Sequence, residues 1–247
     1  MANYSRQQEI ISYLKEHRQA RVSDLARDLY CSEATIRRDL AKLEFDRLIK
    51  RTHGSAILSD KQEEVSATIR ETENAMAKEK IARISVMHCP NFRSIFVDNS
   101  STVLFFLKGI DLSNKIIVSN GSIVLRNASL NPKCEAYVLG GRLRGDILEI
   151  TGSKALEDLN NYRFDIAVVS CASILDSATF ETSENTAAIK KRALENSKFK
   201  ILLADKTKVG RGALFKTLNL EDYDMIVTDA KNDELQPFMT MKNNIVK

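Results

Sequence analysis

The chain of 247 residues contains no run of about 18 apolar residues, so it offers no candidate for a membrane-spanning helix. Its opening, Met1-Ala2-Asn3-Tyr4-Ser5-Arg6, leads straight into a charged amphipathic segment without the apolar core of a secretion signal. A cytoplasmic location is therefore expected. Cys31, Cys89, Cys134 and Cys171 are scattered and form no CxxC pair, so they are expected to stay reduced. His17, His53 and His88 have no ligand spacing with a cysteine, which leaves a metal centre unsupported. No nucleophile motif or paired catalytic carboxylate is evident, and no cofactor is implied.

What the chain has is charge in one place. Residues 1–58 carry 11 Lys and Arg against 8 Asp and Glu, whereas the remainder holds 26 against 25. A positive head on a neutral body is the distribution expected of a nucleic-acid-binding module joined to something else.

The head reads as helices of changing phase. Ser5-Arg6-Gln7-Gln8 resembles a capping box, followed by Ile10, Ile11 and Leu14 on one helical face. The basic, β-branched step Arg18–Val22 breaks this helix, and Ser23 is placed to cap a second one with Leu25, Ala26 and Leu29 inward. After a turn at Tyr30-Cys31, Ser32 caps a third helix, Glu33 to about Phe45. Its apolar stripe is Ile36, Leu40 and Leu43, and its outer face shows Thr35, Arg37, Arg38 and Lys42. Two short helices across a tight turn, the second basic outside, are what a DNA major groove admits. Residues 48–58 then suggest a β-hairpin with a Thr52-His53-Gly54-Ser55 tip, placing Lys50, Arg51 and His53 beside a phosphate backbone. Taken singly, the Arg37-Arg38 pair suits a solvated helix face and His53 a polar turn. Asp39 is expected to pair within the head, because phosphate would repel it.

With Arg6 and Ile10 upstream and Arg51-x-His53-Gly54 downstream, the run Ser32-Glu33-Ala34-Thr35-Ile36-Arg37-Arg38-Asp39-Leu40 resembles the DeoR family of bacterial sugar-metabolism regulators. The resemblance implies a winged helix-turn-helix reading operator DNA, with Ile36 and Leu40 anchoring the recognition helix. The candidate DNA-binding residues are Ser32, Glu33, Thr35, Arg37, Arg38, Lys42, Lys50, Arg51 and His53. Where the family shows a second glycine after His-Gly, this chain has Ser55.

Residues 59–73 are polar, mixed in charge and free of Pro and Gly, and read as a partly helical connector. A helix from Asn74 to Met87 follows, with Ala77, Ile81, Ile84 and Val86 inward. Beyond it β-rich runs recur at residues 94–98, 115–119, 136–139, 166–169, 201–204 and 225–228, each followed by a helical pattern. This alternation predicts an α/β unit over residues 74–247 with a mainly parallel sheet. Ligands of such sheets bind beyond the carboxyl ends of the strands.

The polar residues at those ends are Asp98, Asn99, Ser100, Ser101, Thr102, Asn120, Gly121, Gly140, Gly141, Asp205 and Lys208, with Lys190 on a later helix. Ser100, Ser101 and Thr102 at a helix start suit either a phosphate or simple capping. Lys190 and Lys208 can supply countercharge, and Asp98, Asn120 and Asp205 can hold sugar hydroxyls. Gly140-Gly141 alone suits a tight turn. The DeoR resemblance extends over this body and implies a sensing domain resembling sugar-phosphate isomerases, a phosphorylated-sugar effector, a homo-oligomer on a two-fold operator, and repression without catalysis. The chain departs from the family at Ser170-Cys171-Ala172-Ser173, at Ala178-Thr179-Phe180 and at Asn185. An isomerase-like enzyme with a DNA-binding appendage and a constitutive DNA-binding protein are the competing readings.

Overall fold

The computed structural model describes residues 2–45, 49–52, 54–58, 70–71, 73–122, 124–125, 131–145, 147–210, 212–231 and 245–246. The chain divides into two compact units, residues 1–66 and 67–247. Of the connector, only Arg70, Glu71 and Glu73 are among the described residues, and the first two are helical.

The first unit runs α1 (Ala2–His17), β1 (Gln19–Arg21), α2 (Val22–Asp28), α3 (Glu33–Phe45), β2 (Ile49–Thr52) and β3 (Ser55–Leu58). Ile10, Leu14, Leu25, Ile36, Leu40 and Leu43 are all buried and form its core. Each such side chain contributes about 1.5–3 kcal/mol relative to exposure, which is why the stripes of the sequence survive as faces of the fold. β1, β3 and β2 form an antiparallel sheet in that order. Two expected caps are corrected. α1 begins at Ala2, so Ser5 lies inside it. α2 begins at Val22 behind Arg21, with no side-chain cap, so Ser23 is helical too. For Ser23 the reason is tertiary: the step after α1 is a strand whose Gln19 and Ala20 pair with Ile57 and Ala56, and that pairing sets where α2 starts.

The second unit begins with α4 (Ala75–His88) and continues through β4 (Ser94–Val97), α5 (Ser101–Gly109), β5 (Ile116–Ser119) and β6 (Glu135–Val138). A hairpin, β7 (Arg142–Arg144) and β8 (Glu149–Thr151), leads to α6 (Ser153–Leu159) and β9 (Phe164–Val169). Then come β10 (Ser173–Leu175), β11 (Ala178–Glu181), α7 (Glu184–Glu195), β12 (Ser197–Ala204), β13 (Phe215–Asn219), β14 (Met225–Thr228) and β15 (Ile245–Val246). Seven strands make one parallel sheet in the order β15-β14-β12-β9-β4-β5-β6.

Alternation along the strands sorts its side chains to two faces. Ile95, Val97, Ile166 and Val168 pack with Ile81 of α4 and Phe106 of α5, while Phe96, Ala167 and Val169 pack with Leu159 of α6 and Ile189 of α7. A helix does not follow every strand, contrary to the sequence expectation. β6 leads to the β7–β8 hairpin, and β9 leads to β10–β11, which joins β13 in a separate antiparallel sheet. Asp176 and Ser177 both take positive φ (48° and 58°), the geometry that closes a two-residue hairpin compatible with strand twist.

Candidate functional site

The basic surface of the head is built on α3. Ser32 Oγ accepts from the Thr35 backbone N–H at 3.2 Å, the capping bond expected from its position. Burial of Ile36, Leu40 and Leu43 against α1 and α2 turns the opposite face outward, leaving Ser32, Glu33, Arg37, Arg38 and Lys42 exposed and Thr35 half-buried. Arg37 pairs with Glu33 one turn earlier at 2.9 Å. Asp39 points the other way and is buried, accepting from Arg6 Nε at 2.5 Å and Gln7 Nε2 at 3.3 Å. It fastens α3 to α1.

Lys50 and Arg51 are exposed on β2. Glu44 accepts from the Arg51 backbone N–H at 2.9 Å and from its guanidinium at 2.6 Å, and these bonds hold the Glu44 carboxyl below its ordinary range. Arg51 therefore docks the hairpin on α3 and is only partly available to phosphate. At the tip Gly54 has φ +76°, which a side chain would strain. Ser55 is buried, exchanging a 2.6 Å bond with Thr52 and accepting from Gln19 Nε2 at 3.1 Å. The residue that departs from the family pattern thus ties the hairpin to β1. His53 lies outside the described residues.

In the second unit the chain steps outward from β4 to β5 to β6, then returns to lay β9 on the other side of β4. The loops after β4 and β9 therefore flank the point where strand order reverses, the usual place for a ligand. A buried ionic cluster fixes them. Lys190 Nζ lies 2.8 Å from Asp98 Oδ2 and 2.6 Å from Glu181 Oε1, and donates to the Ser170 carbonyl at 2.8 Å. Burial works to lower the Lys190 pKa, but the two carboxylates outweigh it and hold the ammonium above its ordinary value. Asp98 also accepts from the backbone N–H groups of Ser170 and Ser100, at 3.0 and 3.1 Å. All three Lys190 donors are used inside the protein, and Asp98 is sealed from solvent. These contacts tie the loops after β4 and β9 to α7 through Lys190 and Asp98.

Around this cluster the other strand-end residues fall into two sets. Ser100 caps α5 through a 3.3 Å bond from the Val103 N–H, Ser101 and Asn99 line a small cleft, and Thr102 is buried. Asn120 is buried and donates to Glu149, which also accepts from Thr186. Gly121 packs so closely on Asn99 that a Cβ would sit 2.6 Å from its Oδ1. Gly140 donates its N–H to Asp158 at 2.6 Å, and Gly141 has φ +141°, so this pair forms the tight turn into β7. Asp205 is buried, with Oδ1 bonded to the Thr207 backbone N–H at 2.9 Å and to its hydroxyl, and Lys208 is half-buried nearby in sequence. Among the described residues, Asn120 Oδ1 and Asp205 Oδ2 are buried acceptors with no hydrogen-bond partner. Such groups cost free energy unless something donates to them.

Sequence reasoning did not single out Glu181, Glu149 or Lys78. Lys78 carried a signal: with Ile81, Ala82 and Ser85 it occupies the buried stripe of α4, where a cation is out of place. Glu181 and Glu149 end or begin short strands of the kind the periodicity did not reveal.

A winged helix-turn-helix with a cationic outer face, joined to a parallel α/β unit with polar strand ends, defines a DNA-binding transcriptional regulator carrying its own sensor domain. The DeoR-like helix-turn-helix domain matches residues 6–62 and the DeoR C-terminal sensor domain residues 73–230, and the chain belongs to the DeoR family. It is 29% identical over 233 residues to the uncharacterized HTH-type transcriptional regulator FruR of Bacillus subtilis, covering 94% of this chain and 93% of that one. To the glycerol-3-phosphate regulon repressor of Escherichia coli it is 28% identical over 232 residues, covering 93% and 92%. Among solved structures it is similar to ribose 5-phosphate isomerase A of Methanocaldococcus jannaschii, at 14% identity and a TM-score of 0.38 over 55% of this chain and 54% of that one.

Proposed function

We propose that this regulator represses a carbohydrate-utilisation operon from the cytoplasm, as a homo-oligomer whose operator affinity changes when a phosphorylated sugar binds the sensor unit. The observation that carries the reading is the pair of buried, unpartnered acceptors, Asn120 Oδ1 and Asp205 Oδ2, in the strand-end loops. A sugar presents hydroxyl donors to such atoms. The relationship to a glycerol-3-phosphate regulon repressor supports a phosphorylated effector. One head covers a half-site, so two heads on a two-fold operator give the effector something to alter. Binding shifts DNA affinity only by its difference in free energy between two conformations. Catalysis is disfavoured, because of the four candidate proton carriers, Asp98, Asp205, Lys190 and Lys208, Asp98 and Lys190 are buried and spent on each other.

Fluorescence anisotropy on DNA from upstream of the protein's own operon, at fixed salt and with a panel of hexose and pentose phosphates, tests this. One sugar phosphate is expected to shift the binding curve while its free sugar does not. Tight specific binding that no member of the panel alters would overturn the sensor reading in favour of a constitutive DNA-binding protein.

A further inference from the structure

The parallel sheet of the sensor unit ends on β15 at one side and on β6 at the other. β15 has two residues, whereas β6 has four, Glu135-Ala136-Tyr137-Val138, and all of them are exposed. The register of β6 with β5 is regular throughout, and the strand contains no Pro and no Lys. Bulges, Pro, Lys and very short strands are the devices by which proteins blunt a free sheet edge, and β6 has none of them. Tyr137 and Val138, both strand-favouring residues, are 45% and 57% exposed.

The hydrogen bonds to β5 fix which backbone groups of β6 are free. Glu135 N donates to the Lys115 carbonyl and Leu139 N to the Ser119 carbonyl. Alternation along the strand therefore turns the groups of Glu135, Tyr137 and Leu139 toward β5, and those of Ala136 and Val138 outward. Among the described residues nothing bonds to the outward N–H and C=O groups of Ala136 and Val138. They flank Tyr137 symmetrically, so the strand is complementary to a second copy of itself turned end for end. In that antiparallel register Ala136 faces Val138 of the copy, and Val138 faces its Ala136, each pair exchanging two N–H···O bonds. A slip of one residue sets outward groups against inward ones and forms no bond; a slip of two keeps one pair within β6.

We propose that β6 is the contact through which two copies of this chain pair, antiparallel about a two-fold axis at Tyr137. It rests on the homo-oligomer reading above and names the surface involved. Tyr137 then meets Tyr137 of the copy in a non-hydrogen-bonded pair, where side chains approach most closely. Its hydroxyl already donates to Glu135 at 3.2 Å, so covering the ring leaves no donor unpaired. A contact between like strands closes on itself: it uses up both edges and supplies two heads, as a two-fold operator requires. A strand from another protein would not call for the symmetry about Tyr137. Four paired residues on each side make less than the about 1,200 Å² of a stable interface, so the free dimer is expected to be weak. The operator reinforces it by holding both copies on one DNA.

Three variants of the full chain test this. Mild oxidation on operator DNA is expected to link Tyr137→Cys into a disulfide dimer, because facing positions of this kind stand within disulfide reach. Glu135→Cys, on the same face, meets Leu139 of the copy and not itself. It is expected to give no more linked dimer than the unaltered protein, whose own cysteines set the background. Val138→Pro removes an N–H that β5 does not use, so the sheet keeps its bonds while each facing pair loses one. Sedimentation over a range of concentrations is expected to show dimerisation weakened by at least about tenfold in Val138→Pro. An unchanged circular dichroism spectrum shows that the variants are folded, and the cysteine variants stand independently of Val138→Pro. Equal linking of Glu135→Cys and Tyr137→Cys overturns the assignment. So does a chain that stays monomeric on and off the operator, which leaves the edge to a strand of another protein. A dimer that Val138→Pro leaves intact removes β6 and keeps the homo-oligomer. A dimer lost in Val138→Pro, with operator binding that no sugar phosphate alters, keeps β6 and removes the sensor reading.

Discussion

Arg37 in the head and Lys190 in the sensor unit are both helix-borne cations beside carboxylates at about the same distance, 2.9 Å from Glu33 and 2.8 Å from Asp98. Their surroundings differ completely. The Arg37 and Glu33 side chains are 58% and 50% exposed, those of Lys190 and Asp98 7% and 0%. An exposed pair contributes a few tenths of a kcal/mol and is readily exchanged for another partner, which suits a surface that must trade counterions for phosphates. A buried pair gains little on formation, but neither member can be removed cheaply. Arg37 keeps its charge at the surface, whereas Lys190 spends its own on holding buried carboxylates and a loop carbonyl.

The sharpest way to break this contrast is Lys190→Ala. It leaves Asp98 and Glu181 buried without their shared cation, and the expected loss is about 3–5 kcal/mol of stability. Denaturant unfolding of the sensor unit measures it. A loss below about 1 kcal/mol would place Lys190 with the surface pairs.

Lys78 tests the same contrast through pH. Its folded-state pKa of about 8 lies below the ordinary 10.5, so the unfolded chain binds this proton more tightly. The sign follows: between those two values the contribution of Lys78 to stability rises with pH, and below about 8 its cost is fully present. The stability of the unaltered protein relative to Lys78→Met is therefore expected to climb over that window. A difference that stays flat, or falls, would show that the Lys78 charge is compensated within the fold.

Arg38→Ala should do the opposite of Lys190→Ala. Arg38 is exposed on α3, so stability should move by no more than about 0.5 kcal/mol. Operator affinity should fall by about 1–3 kcal/mol if the guanidinium reads a base edge. Anisotropy and unfolding on the same preparation decide it, and unchanged affinity would remove Arg38 from the recognition surface.

The same contrast explains what the sequence revealed. α3 was legible to its ends because everything that sets it is local: the Ser32 cap, the Ile36-Leu40-Leu43 stripe and the cations opposite. Six of the seven strands of the parallel sheet were legible as short β-rich runs for the same reason, and β15 was not. Ser23 misled because the start of α2 is fixed by Gln19 pairing with Ile57, a contact no local pattern carries. In the sensor unit Asp98 and Lys190 were legible as candidate effector contacts, but not their partnership, which spans most of a hundred positions and includes the unforeseen Glu181. Residues that act through the surface can be read one at a time; residues that act through burial acquire their meaning only from what the fold brings beside them.

The smallest effect expected is also the one that most directly tests how the head uses exposed charge. Glu33 stands in the first turn of α3, where a carboxylate suits the helix dipole, and it holds Arg37 at 2.9 Å. Glu33→Gln should therefore cost only about 0.3–0.5 kcal/mol of stability. On DNA two outcomes are distinguishable. If Glu33 chiefly restrains Arg37, the variant frees a cation for the backbone, and the salt dependence of operator binding steepens by up to about 0.9 in log–log slope, whatever the operator sequence. If Glu33 itself accepts from a base, most naturally a cytosine amino group, affinity falls at one operator position and the slope barely changes. Titrations at several salt concentrations against an operator and its single-base variants separate these outcomes. A variant that changes neither slope nor base preference would take Glu33 off the DNA-contacting face and leave it as part of the helix alone.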